Sequence, residues 1–368
     1  MTRQPHQLPW SDWQSLPGNW HPSPVTLAET LDGGQSFRWF REAKTSARRP
    51  VRHSSQSDGG SLGEAGPQPE SEVIWTGIWS DKVAQLRLVD SRLEPLKPAP
   101  RLSAELSGGV RPPPGPAPSC LGGVQWRAPP AVQSTVASAL PRYLVLDADW
   151  AALTDSLPWR SDPHLAQCIA AFPGLRLLRQ PFGEPLLGFL CSATKQIVQI
   201  KQMVALLARR HGSPLLGPAD LSLATCHLSL ASHQLPTWAE LAAISEMELR
   251  QCLLGFRAKF IHASARYIAQ RPGWLEETEH LPYVAAKARL LELPGVGEKV
   301  ADCVLLFGAG RLEAFPVDTW VLKSLARHYS LTGWKPAQVA HFGRTHFGPL
   351  AGLAQQYLFS WERKHGGR

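Results

Sequence analysis

Apolar residues recur at the three- and four-residue spacing of an α-helix from about residue 148 to the end of the chain. The clearest stripe follows Thr194, a candidate helix cap, and consists of Ile197, Ile200, Val204 and Leu207. The same period predicts a helix opened by Pro236 and six more, over residues 257–270, 282–292, 298–308, 317–329, 336–346 and 350–364. Short connections and the lack of β-rich runs predict an all-α domain of about ten helices over residues 144–368.

The first 143 residues follow a different pattern, in which short runs rich in Trp, Ile and Val alternate with polar stretches. Residues 73–79 and 82–89 flank the turn dipeptide Ser80-Asp81, which predicts a β-hairpin, and a third strand is predicted over residues 35–40. Residues 41–72 lack aromatic side chains and residues 95–131 centre on a proline run, so both are predicted to be disordered insertions. Residues 1–143 are thus predicted to form a small antiparallel sheet domain, and the whole chain is predicted to be α+β.

The composition narrows the class of protein. With 368 residues, of which 43% are hydrophobic and 18% charged, the chain is predicted to bury a large core. No run approaches the roughly 18 apolar residues of a membrane span, which argues against a membrane protein. The six cysteines form no CxxC pair, so neither a zinc site nor an iron–sulfur cluster is predicted. No secretory signal is visible, and we expect reduced thiols in a bacterial cytoplasm, or a nuclear location if the source is eukaryotic.

The formal net charge of +8 is concentrated near the C-terminus. Residues 320–368 hold 7 basic and 1 acidic side chains, a net charge of +6. Such a concentration favours a polyanionic partner, and binding to that partner is then expected to weaken as the salt concentration rises.

The segment LPGVG, residues 293–297, separates two apolar helical patterns and is typical of a helix-hairpin-helix motif. Its glycines allow positive φ and are expected to leave backbone N–H groups uncovered beside a helix N-terminus. Such a group of amides binds phosphate, so we expect backbone contacts to DNA at Leu293, Gly295, Val296 and Gly297. The alternative is an ordinary helical hairpin with a glycine turn.

Lys299 lies in the first turn of the second hairpin helix. The positive end of the helix dipole opposes protonation of its amine there, which favours the neutral, nucleophilic form. A lysine paired with phosphate or with Glu298 is the alternative. Asp318 follows after a Pro-Val turn, either as a plain helix cap or as a carboxylate held near Lys299 to stabilise a developing sugar cation. Asp302 is the competing carboxylate, and we expect it to form a structural pair.

Together these motifs resemble, in their order along the chain, those of the 8-oxoguanine DNA glycosylases of the helix-hairpin-helix (HhH-GPD) superfamily. The matching segments are residues 34–39 (GQSFRW), 175–180 (LRLLRQ), 254–259 (LGFRAK), the hairpin with Lys299, 302–303, 316–318, 354–355 and 358–360. The resemblance implies a TATA-binding-protein-like sheet domain followed by an all-α catalytic domain with its hairpin at residues 290–308. It further implies a bifunctional glycosylase and lyase without a cofactor or metal.

In such an enzyme the damaged nucleotide is flipped out of the duplex. The resemblance implies that Lys299 attacks the sugar C1′, displaces the base, forms a Schiff base and permits strand cleavage by β-elimination, and that Asp318 stabilises the sugar cation. The carbonyl of Gly34 would accept the N7–H that 8-oxoguanine has and guanine lacks. The rest of the implied base pocket consists of Cys303, Phe307, Gln355 and Phe359.

The implied DNA-contacting residues include several departures from the family pattern. Thr194, Lys195 and Gln196 stand where vertebrate-type members have an asparagine run, and Gln199 stands where they have an arginine that contacts the orphaned cytosine. Arg257 matches a second cytosine-reading arginine. Two aromatic residues also depart from that pattern, Phe256 at the usual tyrosine wedge and Trp320 at a histidine after the catalytic aspartate.

Two other classes stay open on the sequence alone. The first is an alkylated-base glycosylase or another glycosylase of the same superfamily, although alkylated-base enzymes lack a lysine like Lys299. The second is a non-catalytic helix-hairpin-helix DNA-binding protein, which leaves Lys299, Asp318, Gly34 and Phe359 unexplained together. The expected partner in the favoured interpretation is double-stranded DNA containing 8-oxoguanine, bound by a monomer with no membrane involvement.

Overall fold

The computed structural model describes residues 10–42, 73–89, 123–215 and 233–366. Their N-terminal part contains a five-stranded antiparallel sheet with the strand order β1-β5-β4-β3-β2. The strands are β1 Gln14–Ser15, β2 Trp39–Glu42, β3 Ile74–Trp79, β4 Lys82–Leu88 and β5 Val124–Arg127. The predicted small antiparallel sheet is thereby confirmed.

The β3–β4 hairpin turns at Ser80 and Asp81, as predicted, because Trp79 pairs with Lys82. Trp39 of β2 lies opposite Gly77, where a Cβ would overlap the tryptophan ring. The glycine therefore permits a close approach that packs indole against the backbone of the neighbouring strand. The Trp39 Nε1 donates a hydrogen bond to the Tyr143 hydroxyl at 3.2 Å, which ties the sheet to the first helix after it.

Two predictions for the sheet were wrong in detail. Strand β2 begins at Trp39 rather than residue 35, since the side chain of Gln35 is committed to another segment, as described below. Strand β5 falls inside the range 95–131 that was predicted as an insertion, because pairing with β4 gives its alternating apolar residues a buried face. Residues 43–72 and 95–122 of the two predicted insertions lie outside the described residues.

Helices make up most of the rest of the described chain. In order, they are α1 Pro24–Asp32, α2 Gln133–Tyr143, α3 Trp150–Asp155, α4 Pro163–Ala171, α5 Gly183–Leu190, α6 Ile197–His211, α7 Trp238–Ala243, α8 Glu246–Leu249, α9 Arg257–Ala269, α10 Trp274–His280, α11 Tyr283–Leu291, α12 Glu298–Phe307, α13 Thr319–His328, α14 Pro336–Phe347 and α15 Ala351–His365. The described residues after 148 thus form thirteen helices instead of about ten, because four short ones (α3, α7, α8 and α10) carry too few turns for a clear period.

Two predicted helix starts differ from the structure. The helix expected to open at Pro236 begins at Trp238 and is capped by the side chain of Thr237. The prediction that Thr194 caps α6 was wrong, because the N-cap residue is Gln196, which forms a capping box with Gln199. Thr194 instead occupies a left-handed turn with φ 57°.

Two apolar cores hold these elements together. One lies between the sheet and helices α1 and α2, and includes Trp39, Trp79, Leu86, Trp126 and Tyr143. The larger one lies among α4 to α15 and includes Leu165, Phe189, Leu254, Phe307 and Phe315. Within the described ranges, no helix is long and apolar enough to cross a membrane.

Candidate active site

The turn between α11 and α12 exposes its backbone and buries its aliphatic side chains. Leu293 and Val296 pack into the larger core, while the glycines between and after them are exposed. Gly295 has φ 83° and approaches Phe260 so closely that a Cβ would overlap that ring. Gly297 is the N-cap residue of α12 and has an extended backbone, which does not require a glycine. The turn thus presents a helix N-terminus in an exposed loop, which suits an anion.

Lys299 projects from the first turn of α12 into an aromatic pocket. Its Nζ lies 4.5 Å from the ring centroid of Phe189 on α5. That ring stacks on Phe307 at 5.8 Å and meets Phe37 edge-on at 5.2 Å. Cys303 lies one helical turn after Lys299, and burial raises the pKa of its thiol to about 12, with the charge of Lys299 opposing that rise. The amine is therefore half-enclosed by aromatic rings and a neutral thiol.

Asp318 serves as the helix cap and also lies close to Lys299. Its Oδ1 accepts hydrogen bonds from the amides of Trp320 at 3.0 Å and Val321 at 2.9 Å, at the start of α13. Burial raises the pKa of this carboxyl, and the two amides and the charge of Lys299 oppose that rise. Asp318 is thus a helix cap that also interacts electrostatically with Lys299, and its stabilisation of a sugar cation stays a prediction.

Asp302 is a structural partner, as predicted. Its Oδ1 lies 2.9 Å from the Lys287 Nζ and accepts a hydrogen bond of 2.8 Å from the Tyr283 hydroxyl. Lys287 also lies 2.6 Å from Glu298. These contacts tie α11 to α12, so Glu298 and Asp302 are engaged by Lys287 and not by Lys299.

The predicted base pocket brings Gly34 against two helices. Gly34 has φ 106°. A Cβ at this position would lie 3.0 Å from the Ile197 Cδ1 on α6 and 3.7 Å from the Phe359 Cζ on α15. Gln355, one helical turn before Phe359, is buried, and its Oε1 has no hydrogen-bond partner among the described residues. A buried acceptor of this kind is costly unless something else pairs with it, so it suits the edge of a base.

Gln35 fixes the backbone next to Gly34. Its side-chain amide donates to the Arg176 carbonyl at 2.8 Å and accepts from the Leu178 amide at 2.9 Å. The Gln180 side chain donates to the Gln35 carbonyl at 2.7 Å. Residues 34–39 and 175–180 each match the family pattern separately in the sequence. In the structure, hydrogen bonds join these two segments to each other.

The predicted DNA-reading residues form a separate cluster. Arg257 is buried and donates to the Leu254 carbonyl at 3.1 Å, to the Thr194 Oγ1 at 2.9 Å and to the Ala193 carbonyl. Its guanidinium lies 4.4 Å from the ring centroid of Phe256, which is 48% exposed. Lys195 and Gln196, which follow Thr194 in the chain, are both exposed. Trp320 is not among these contacts: it lies at the start of α13, beneath the Lys323 ammonium.

Sequence reasoning missed Phe189 and Ile197 as pocket residues. Ile197 was assigned only to a core stripe, and Phe189 lies in an apolar run without a distinctive pattern. Their positions in the pocket depend on how α5 and α6 pack against other elements, and no local sequence pattern predicts that packing. No three His, Cys, Asp or Glu side chains of the described ranges come together as a metal-binding group.

Comparisons with known proteins match both halves of the chain. The model of the 8-oxoguanine DNA glycosylase N-terminal domain matches residues 19–186, and that of the HhH-GPD superfamily of base excision DNA repair proteins matches residues 188–345. A probable N-glycosylase/DNA lyase of Methanothermobacter thermautotrophicus is 30% identical over 58% of this chain and 72% of the relative. An N-glycosylase/DNA lyase of Arabidopsis thaliana is 33% identical, and the chain spans about half of its length, 55%.

Solved structures agree on the fold. The 8-oxoguanine glycosylase/lyase of Clostridium acetobutylicum in its apo form is 25% identical, with a TM-score of 0.66 over 91% of this chain and 92% of that one. Its complex with DNA containing cytosine opposite 8-oxoguanine gives a TM-score of 0.68 at 24% identity, over 93% and 92% of the two chains. A 3-methyladenine DNA glycosylase of Archaeoglobus fulgidus is more distant in fold, with a TM-score of 0.53 at 19% identity over 79% and 87%.

Proposed function

The chain belongs to the 8-oxoguanine DNA glycosylase family, and on that premise we propose that it excises 8-oxoguanine from duplex DNA and then cleaves the strand. The observation that carries the proposal is the position of Lys299, in the first turn of α12, beside Cys303 and close to the Asp318 carboxylate. An amine in a half-buried pocket next to a fixed carboxylate suits nucleophilic attack on a sugar.

In the proposed reaction, the Lys299 nitrogen bonds to C1′ as the bond from C1′ to the base breaks, and the base leaves with the bonding electrons. One of the two protons on the attached nitrogen passes to the departed base. The sugar ring then opens as the C1′–O4′ bond breaks, O4′ takes up a proton from water, and a protonated imine (Schiff base) joins Lys299 to C1′. Removal of a C2′ proton then expels the 3′ phosphate by β-elimination. Asp318 stabilises positive charge on the sugar while the base departs, since its carboxylate is held by two amides and cannot turn away.

We propose that the flipped base stacks on Phe359, with Cys303 and Phe307 on its opposite side. Gln355 would pair with the Watson–Crick edge through its unpartnered Oε1. The Gly34 carbonyl would accept the N7–H of 8-oxoguanine, and guanine would present a lone pair at the same place. Discrimination then depends on the single backbone acceptor of Gly34.

DNA contacts are proposed on two surfaces. The hairpin backbone at Leu293, Gly295, Val296 and Gly297 would bind phosphate. Phe256 and Arg257 would face the orphaned cytosine, supported by Thr194, Lys195 and Gln196, while Trp320 would lie along the damaged strand. In the unbound structure the Arg257 guanidinium bonds to Thr194 and to two carbonyls, so reading cytosine requires it to exchange some of these contacts.

The division into domains at residues 143 and 144, the monomeric state and a bacterial cytoplasmic location also remain proposals. The sheet core with α1 and α2 and the core of α4 to α15 support two units near that boundary. Leu178 packs against the sheet core, so the two units share an interface.

Borohydride trapping tests the chemistry. A duplex with one 8-oxoguanine opposite cytosine is incubated with the enzyme and reductant, and we expect a covalent protein–DNA adduct that Lys299→Gln abolishes. Lys82→Gln, at the β3–β4 hairpin, removes a lysine away from the site and is expected to keep the adduct. Released base without any adduct would contradict the lyase proposal, and intact DNA would contradict both activities.

A further inference from the structure

The Cβ side of the Gly34 backbone faces side chains of both α6 and α15. An ideal Cβ at Gly34 would lie 3.0 Å from the Ile197 Cδ1 and 3.7 Å from the Phe359 Cζ. The residue follows directly after the end of α1, where the Gly33 amide donates to the Glu29 carbonyl at 3.0 Å. The position of the Gly34 peptide therefore depends on how the end of α1 is held against these two helices.

A buried ion pair joins α1 to α15. The Arg363 Nη2 lies 2.5 Å from the Oε2 of Glu29, whose side chain is 1% exposed. The Lys364 Nζ is 4.0 Å from the same oxygen. The Glu29 side chain also folds back against the turn, since a Cβ on Gly33 would lie 2.6 Å from its Oε1. The pair thus lies directly behind the Gly33-Gly34 turn.

A second ion pair joins the same end of α1 to α6. The Lys201 Nζ lies 2.6 Å from the Oδ1 of Asp32, the last residue of α1. The same ammonium donates to the Trp39 carbonyl at 2.6 Å, just after the GQSFR segment. Lys201 therefore holds both ends of the segment that contains Gly34.

The two ion pairs repeat one arrangement. On α6, Lys201 comes four residues after Ile197, and on α15, Arg363 comes four residues after Phe359. Residues four apart lie on the same face of a helix. Each of the two helices therefore places an apolar side chain against Gly34 and, one turn later, a cation against a carboxylate of α1. The two carboxylates, Glu29 and Asp32, lie three residues apart on α1 and divide between the two helices.

Stability alone is a weak explanation for the Glu29 pair. A buried ion pair costs desolvation that an apolar pair of similar size avoids. Burial raises the pKa of Glu29, with Arg363 opposing the rise, and the Glu29 Oε1 has no hydrogen-bond partner among the described atoms. An arrangement that gives up stability in this way suits a requirement for exact placement of a neighbouring group.

We propose that the pairs Glu29–Arg363 and Asp32–Lys201 are positioning residues that set the place of the Gly34 peptide and its carbonyl, and so control selection of the oxidised base. The inference rests on the proposed function, in which that carbonyl accepts the N7–H. A displacement of about 1 Å in a positioning contact can cost on the order of 100-fold in rate. The pairs do not touch Lys299, so attack on a sugar that has already lost its base does not depend on them.

The experiment compares two single-turnover reactions of each variant: excision of 8-oxoguanine opposite cytosine, and cleavage at a preformed abasic site. For Glu29→Gln, Arg363→Met and Lys201→Met, we expect excision to fall by about 10- to 100-fold, while abasic-site cleavage stays within about twofold of wild type. Arg363→Lys and Lys201→Arg keep the charges and are expected to recover most of the excision rate. Glu279→Gln removes the same charge from the Arg179 pair and is expected to leave the ratio of the two rates unchanged.

Excision that stays at the wild-type rate, or that falls in step with abasic-site cleavage, would overturn the positioning role, because a purely structural pair lowers both reactions together. If Glu29→Gln does not fold, the partly exposed Asp32–Lys201 pair decides the question through Lys201→Met and Lys201→Arg. A wild-type enzyme that cleaves no abasic site would contradict the proposed function instead, which separates the two failures.

Discussion

The Asp318 carboxylate caps α13 and is also proposed to act in catalysis. A conservative substitution can separate these two roles. Asparagine caps helices about as well as aspartate, so Asp318→Asn is expected to keep the start of α13 and the thermal midpoint. The negative charge beside Lys299 is lost, and we expect base excision to slow by roughly 100- to 1000-fold with little change in duplex affinity. Single-turnover excision and a binding titration on the same duplex measure the two effects.

Asp302→Asn, on α12, supplies the contrast. Its carboxylate is buried against Lys287 and Tyr283, so the substitution is expected to lower stability more than it lowers the excision rate per folded molecule. Equal losses of binding and excision in Asp318→Asn would reduce Asp318 to a helix cap.

Among the elements, the turn before α9 holds a strained residue. Residues Arg250–Leu254 form a π-helical turn in which Leu253 has φ 63°. The Leu253 side chain is 60% exposed, so packing contributes little to holding this conformation. A left-handed conformation costs a leucine about 1–2 kcal/mol, and glycine adopts it without that cost but loses roughly 0.5–1 kcal/mol in chain entropy. We expect Leu253→Gly to leave the free energy of unfolding unchanged or raise it by up to about 1 kcal/mol.

The neighbouring Leu254→Gly is the matched comparison in a denaturant titration. Leu254 is fully buried in the larger core, and its loss is expected to cost about 2–5 kcal/mol. Destabilisation of similar size in both variants would mean that Leu253 packs in solution and that its backbone is not strained.

The elements also differ in how far the sequence could predict them. Helices α11 to α15 begin and end within two residues of the prediction, because each buries one apolar stripe with a clear helical period. Strand β5 was missed because its alternation covers only four residues within a proline-rich stretch, too short a run to predict a strand without its pairing with β4. The sequence offered Asp318 as a possible neighbour of Lys299, and the family resemblance placed Cys303 in the base pocket. Phe189, in contrast, reaches Lys299 only through the packing of α5 on α12, which is a tertiary effect.

At the scale of the whole molecule, a histidine cluster links helices far apart in the chain. The rings of His164 on α4 and His328 on α13 stack at 3.6 Å, with Tyr329 and Trp361 edge-on to His164. Burial lowers the pKa of His164 to about 4, the charge of His328 acts in the same direction, and Asp162 opposes them. Burial and His328 together outweigh the attraction of Asp162, so the folded environment favours a neutral His164.

Acid is consequently expected to destabilise the protein through this cluster. As the pH falls from about 6.5 toward 4, the unfolded chain takes up a proton on this histidine before the folded chain does, so the free energy of unfolding decreases. We expect a loss of about 1–3 kcal/mol between pH 7.5 and 4.5, measured by urea unfolding. His164→Gln should lower stability at pH 7.5 yet weaken its dependence on pH, whereas the exposed His341→Gln should keep the wild-type dependence. Identical pH dependence in wild type and His164→Gln would place the acid sensitivity elsewhere in the molecule.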